Sequence, residues 1–458
     1  MALKMTPAEA LAESMARIPL NERTADDVWA TLEHAARSVA SADTASLIYT
    51  LLGGGAAGWA LPTPATLQFP RDHALHLDAG PEWYWLTANL TPVGGGGPHF
   101  GLVVCLQRQR ILAEYVEREG GWTKDQAQLV QSQSVLVIAG PDGDQVVQQY
   151  RNIWTPLGGE IGFSADPFRF QCGPDHFAGP VDVLPLTLHV EGGPLFLDLS
   201  ITSDLPAASA YFLQGDKGIT APPRGGFYYS WPQLKLAGTV VAEGITYAVE
   251  GNGWLDHECM SSIIPAGGLG GPPPKRWSPP FGIDGWTFCD FNLDNGDALV
   301  LAGFQVGVLS TRLAAPYGFY LRREGEAWTP IPLTGEIDMD QFLPLTCDVM
   351  LPIAWRCRTK GVAEAGLPTE LIIETSPFAL DGSFVGANLS VMAETPVAVT
   401  VSTPTRAPDA SPPVLTRGVG YCESVGYEPA ARFMARALAA LSSPAGGGDR
   451  LHRQNIGG

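Results

Sequence analysis

Glycine and proline interrupt this chain so regularly that no apolar run travels far before meeting one. The 53 glycines and 39 prolines are dispersed over the whole sequence rather than gathered into low-complexity tracts. Short apolar runs bounded by turn residues at close intervals are the pattern of many short strands joined by tight connections, so the expected class is mostly β. Trp83 to Leu90, Gly101 to Leu106, Ser134 to Ile138 and Leu195 to Ile201 are such runs, separated by Gly, Pro and Asp clusters. The clearest hairpin runs from Trp286 to Leu293, turns through Asp294-Asn295-Gly296-Asp297 and returns along Ala298 to Phe304, because Asn-Gly supplies the positive φ that a tight turn needs.

A chain of 458 residues holds more than one hydrophobic core. Residues 1–60 are expected to be a helical extension: Thr6-Pro7 reads as a cap with proline at the first helical position, and Thr24, Asp26 and Asp27 open a second helix through Ser38. Two β domains follow, at 61–264 and 281–428. Between them, 265–280 is so rich in Gly and Pro that it cannot hold a ladder and is expected to be a linker or lid. A helix from Pro429 to Ser442 and a Gly-rich tail complete the chain at 429–458. Six residues echo each other: Gly251-Asn252-Gly253-Trp254-Leu255-Asp256 and Gly418-Val419-Gly420-Tyr421-Cys422-Glu423 share the pattern Gly-x-Gly-aromatic-x-acid. Two related barrels in tandem would place one copy near the end of each; glycines that merely allow close strand approach would also account for it.

Charge narrows the partners. A net charge of −19, with no run or stripe of bases, cannot follow a phosphate backbone, so no nucleic-acid partner is expected, and an anionic bilayer face would repel the chain. The longest apolar stretch, Ala45 to Pro62, is broken by Gly53-Gly54-Gly55, and no integral membrane segment is expected. Residues 1–19 mix charges with apolar residues and contain no signal-peptide core, which points to a cytoplasmic location. The seven cysteines are widely spaced without a C-x-x-C pair, as buried free thiols would be.

The chemistry-bearing residues fall in two clusters. On a strand alternate side chains share a face, so Trp254, Asp256 and Glu258 point one way and Leu255 and His257 the other. Beside Trp254 in an apolar lumen, desolvation and mutual repulsion would raise the carboxyl pKa values and keep one protonated near neutrality. A buried acid of this kind is what protonation of an unactivated C=C bond requires. The alternative is that these carboxylates pair with an arginine or cap loop amides. In the second cluster, Phe69-Pro70-Arg71-Asp72-His73 and His76 precede Glu82-Trp83-Tyr84-Trp85, where Trp83 and Trp85 share one face and Glu82 and Tyr84 the other. One aromatic pair is expected to line a barrel interior, suited to a polyene or polycyclic guest. Asp72-His73-x-x-His76 and Asp256-His257-Glu258 lack the remaining ligands of a metal site, and neither a phosphate loop nor a Gly-x-Ser-x-Gly elbow is present, so no cofactor is expected.

These motifs, together with Tyr228-Tyr229-Ser230 and Gly418 to Gly426, resemble in order the carotenoid 1,2-hydratase (hydroxyneurosporene synthase) and AttH-like lipocalin family, which includes fungal Diels–Alderases. The resemblance spans about residues 67–428. It implies two tandem lipocalin-like antiparallel β-barrel domains and a ligand pocket between or within them. It also implies cofactor-free hydration or cyclisation of apolar polyene, polyketide or terpenoid substrates. Under that resemblance the acidic motif falls on Asp256, His257 and Glu258, the catalytic candidates, and the early aromatic motif on Trp83 and Tyr84; the residues expected to bind substrate are these two with Trp85, Tyr229, Trp254, Trp286, Tyr421 and Glu423. A Diels–Alderase-type pericyclase working by preorganisation and a non-catalytic lipid or pigment carrier are the alternatives.

Overall fold

The computed structural model describes residues 64–79, 81–110, 128–154, 161–214, 226–260, 285–305, 312–346, 349–379, 383–385, 391–405 and 411–425. The expected N-terminal helices, the 265–280 linker and the C-terminal helix lie outside the described residues. The regular elements described are all β-strands apart from short 3₁₀ turns such as Arg71–His73. No described helix is long and apolar enough to cross a membrane.

Strands β1 to β12 build the first sheet: β1 (Glu82–Pro92), β2 (His99–Arg110), β3 (Gln128–Ala139), β4 (Gln145–Trp154), β5 (Ile161–Ala165), β6 (Phe168–Cys172), β7 (Asp175–Gly179), β8 (Leu186–Gly192), β9 (Leu195–Thr202), β10 (Phe212–Leu213), β11 (Gly226–Ala242) and β12 (Ile245–Met260). Their order is β4-β3-β2-β1-β12-β11-β9-β8-β7-β6-β5, with β10 on β11, all antiparallel. In β9 the sequence Leu-Phe-Leu-Asp-Leu-Ser-Ile-Thr buries every second residue, the period that puts one face of a sheet on a core. The sheet curls so that β4 lies against β6, β8 and β9. Its interior is filled by its own side chains, among them Phe100, Phe168, Phe170, Phe177 and Trp231.

The second sheet contains β13 (Gly285–Leu293), β14 (Ala298–Gln305), β15 (Arg312–Glu324), β16 (Ala327–Thr346), β17 (Val349–Lys360), β18 (Leu371–Pro377), β19 (Ser383–Val385), β20 (Val391–Ser402) and β21 (Val414–Val425). Pairing of β18 with β20, in addition to the β18-β17-β16-β15-β14-β13-β21-β20 path, closes eight of these strands into a barrel. The expected hairpin is β13–β14, with Gly296 at φ +86° in its turn. Phe291, Leu299, Trp355, Val399 and Cys422 pack the barrel interior. The six cysteines whose side chains are described are buried.

In each domain the first strand pairs with the last, β1 with β12 and β13 with β21. The sequence echo sits in β12 and β21 at equivalent register: Gly253 faces Ala88 as Gly420 faces Phe291, and Trp254 faces Thr87 as Tyr421 faces Asp290. A Cβ on Gly251 would lie 2.0 Å from Asn89 O and one on Gly420 1.9 Å from Asp290 O, so these glycines are there for close strand approach.

The outer faces of these strand pairs pack on each other through a local two-fold. Asn89 Nδ2 donates to Gly420 O (3.1 Å) and its equivalent Asn292 Nδ2 donates to Gly253 O (3.0 Å). Thr87 and its equivalent Asp290 meet at the axis, with Thr87 Oγ1 donating at 3.2 and 3.3 Å to the two carboxyl oxygens. Pro232 and a β-bulge between Trp231 and Leu234 put Gln233 at φ +55°, and its side chain donates to Leu293 O and Asp297 O of the second domain.

Candidate functional site

Described side chains pack both domain interiors, and the acidic candidate Asp256 faces out of the first core toward the second domain. The two faces of β12 carry different chemistry. Leu255, His257 and Cys259 enter the first core, while Trp254 and Asp256 face the second domain.

On the inner face a buried polar network fixes the segment from Gln68 to Ala79. The Glu82 carboxylate and Arg108 guanidinium are both fully buried and pair at 2.6 Å, and His257 Nε2 (2.9 Å) and His76 Nδ1 (2.8 Å) donate to the other Glu82 oxygen. Burial opposes the charge on Glu82, but Arg108 and these hydrogen bonds overcome it and hold the carboxyl well below its ordinary range. Burial lowers His257 and takes His73 down to about 3, so both rings are neutral at pH 7. One direction of donation then satisfies the chain: His73 Nδ1 to the Tyr229 hydroxyl (2.9 Å), the hydroxyl to His257 Nδ1 (2.6 Å), and His257 Nε2 to Glu82. Tyr84 stacks on His257 with ring centroids 4.2 Å apart and donates to His73 O at 2.5 Å. Arg108 also donates to the carbonyls of His76 and Ala79. His257, Tyr84 and Tyr229, named from sequence as catalytic or substrate-binding, are therefore held in a closed network on the far side of the strand from Asp256. Adjacent strand residues diverge, which is the physical reason they do not join it.

On the outer face the side chains of both domains converge. Asp256 Oδ1 accepts from Ser230 Oγ (2.5 Å) and from the Trp254 indole Nε1 (2.8 Å). Asp290 accepts from Thr87 and from the Tyr421 backbone N–H. Glu394 on β20 stands directly opposite Glu423 on β21 and shares a hydrogen bond with it. Asp256, Asp290 and Glu394 are buried; Glu423 and Trp85 are half-buried, so the cluster meets solvent there. Desolvation raises Asp256 to about 7 against the lowering effect of its hydrogen bonds from Ser230, Trp254 and Tyr228. Burial, then the neighbouring acids, push Asp290 and Glu394 well above the carboxylate range. Aromatic walls come from Trp254, Tyr228 and Phe288 on one side and Trp85 and Tyr421 on the other. Such an arrangement stores protons at neutral pH beside π faces.

Of the remaining candidates, Trp254, Trp85, Tyr421 and Glu423 line this cluster, Glu258 is buried opposite Trp83 and Tyr228, and Trp83 is half-buried. Trp286 is described only as backbone, opposite Val425 in β13. Asp290, Glu394 and Thr87 were not singled out from sequence, and Ser230 entered only within the motif Tyr228-Tyr229-Ser230. The signal for Asp290 is Phe288-Cys289-Asp290-Phe291-Asn292, where polar residues recur on one face of an otherwise apolar strand. Among the described residues no group of three His, Cys, Asp or Glu side chains has the disposition of a metal site.

The family model described as AttH-like matches residues 60–306. The chain belongs to the AttH-like family. In this AttH-like protein the match covers the whole first sheet and the β13–β14 hairpin, which together supply Asp256, Ser230, Trp254 and Asp290. No curated protein matches the chain. The crystal structure of an AttH-type protein from Nitrosomonas europaea is 21% identical, with a TM-score of 0.58 over 81% of this chain and 100% of that one, and shares the fold. Kievitone hydratase from Nectria haematococca (12% identity, TM-score 0.48, 81% and 95% covered) and CghA (11%, 0.39, 82% and 94%) are more distant.

Proposed function

We propose that this AttH-like protein is an enzyme that binds an apolar polyene, polyketide or terpenoid between its two domains and protonates a C=C bond from Asp256, leading to hydration or cyclisation. The observation that carries this reading is the placement of Asp256. It is buried, oriented by Ser230 and Trp254, crowded by Asp290 and Glu423, and raised to about 7. An acid whose pKa sits near the working pH combines adequate proton occupancy with adequate acidity. The faces of Trp85, Trp254 and Tyr421 favour a developing carbocation by ~0.5–2 kcal/mol per contact. A proton and water suffice for this chemistry, so the reading calls for no cofactor and puts the enzyme among the lyases or isomerases.

The test is incubation of the purified protein with acyclic isoprenoid polyenes, comparing product mass with input. A gain of water marks hydration, an isomer of equal mass marks cyclisation, and unchanged material marks a carrier. Asp256→Asn is expected to lower the rate by ~10²–10⁴-fold, the range general acids contribute. Undiminished turnover by Asp256→Asn would overturn the reading, and a preorganising pericyclase would then account for the product.

A further inference from the structure

The two halves of the acid cluster occupy equivalent positions and are chemically unequal. Ser230 stands opposite Asp256 across β11–β12, and Glu394 stands opposite Glu423 across β20–β21. The local two-fold that matches Trp254 with Tyr421 and Asp256 with Glu423 therefore matches Ser230 with Glu394. Where one half has a hydroxyl donating to its acid, the other has a second carboxyl. Two carboxyl groups hydrogen-bonded face to face in a buried setting share a proton rather than both ionise. Glu394 is the deeper of the two, 1% exposed, and burial and Glu423 both push its pKa up, which makes it the partner that holds the proton. Glu394 Oε1 has no hydrogen-bond partner among the described residues. A buried acceptor left without a donor is unfavourable, and an O–H group from a bound molecule would satisfy it.

We propose that Glu394 and Glu423 are the water-binding and proton-accepting half of the site, with Glu394 Oε1 holding the attacking water and Glu423 taking its proton, so that the reaction is a hydration. This rests on the reading of Asp256 as the acid. The step balances. The Asp256 O–H bond breaks as the π pair forms a C–H bond, leaving a cation on the neighbouring carbon. The water lone pair then forms the C–O bond, and one water proton passes to Glu423. Transfer of a proton from Glu423 back to Asp256 through solvent resets both groups, with no change of oxidation state overall.

Squalene and geraniol serve as polyene probes, in ²H₂O and in H₂¹⁸O, with the full chain and the variants Asp256→Asn, Glu394→Gln and Glu423→Gln. The expected result is that both glutamine variants lose at least tenfold in ¹⁸O incorporation. They should still place deuterium on carbon, because the cation forms and then returns to an isomerised alkene; Asp256→Asn should lose both labels. Wild-type ¹⁸O incorporation in Glu394→Gln and Glu423→Gln with an inactive Asp256→Asn would overturn the water-binding pair and leave the acid intact. Undiminished labelling in Asp256→Asn would overturn the acid itself. Infrared titration without substrate tests the pair directly: the protonated-carboxyl C=O band that disappears in Glu394→Gln should titrate at lower pH in Glu423→Gln. An unmoved midpoint would refute the shared proton.

Discussion

Replacing Asp256 by Asn should make the protein more stable, and increasingly so as the pH rises. Desolvation lifts this carboxyl from the ordinary 3.8 to about 7, so between those values the folded protein holds a proton that the unfolded chain has released. Stability therefore falls with rising pH across that window and is flat above it, the reverse of a salt-bridged carboxylate. The full window of about 3 units corresponds to ~4 kcal/mol at about 1.36 kcal/mol per unit. With a pI near 4.8 the chain is best kept above pH 5.5; from there to 7 about 1.5 units remain, or ~2 kcal/mol. Asn keeps an oxygen to accept from Ser230 and Trp254 and removes the titration. Urea unfolding of wild type and variant, followed by tryptophan fluorescence at pH 5.5 and 8.5, should show the variant's advantage growing by ~2 kcal/mol between the two conditions. The same titration predicts that the wild-type rate falls as pH rises through about 7, where the acid is lost. A stability difference that does not change with pH would refute the argument, since it would mean that the folded state does not hold Asp256 protonated.

The inner network gives predictions of the opposite character. Glu82→Gln leaves the fully buried Arg108 without its anion and should destabilise the first domain by ~3–5 kcal/mol in the same unfolding assay; wild-type stability would show that the pair is not closed to water. Tyr229→Phe breaks the link between His73 and His257 and should lower stability by ~1–3 kcal/mol while leaving the pH midpoint of turnover unchanged. A shifted midpoint would mean that the inner face reaches the acid after all.

The two kinds of prediction follow from one property of β12 that was partly legible in its residues. Gly/Pro punctuation announces strands, and alternation within Trp254-Leu255-Asp256-His257-Glu258 correctly puts Asp256 and His257 on opposite faces. What alternation cannot supply is the layer that each face meets. In an ordinary sheet one face is polar and identifies the solvent side, but β1 and β12 are covered on both sides, by their own barrel and by the other domain, so residues 84–90 of β1 are buried throughout apart from Trp85. A His, Tyr or acid in such a strand reads as chemistry whether it lies in a closed ion-pair network, as Tyr229 and His257 do, or among the buried acids between the domains, as Asp256 does. The echo carried the missing information. Gly-x-Gly-aromatic-x-acid recurs because the first and last strands of both domains approach closely and then pack on each other, and a two-fold between them brings Asp256 and Glu423 into one cluster. Had the echo been only a device for strand closure, its acids would have no reason to face the same space. That both do, each opposite a polar partner on the preceding strand, ties the duplicated architecture to the candidate chemistry.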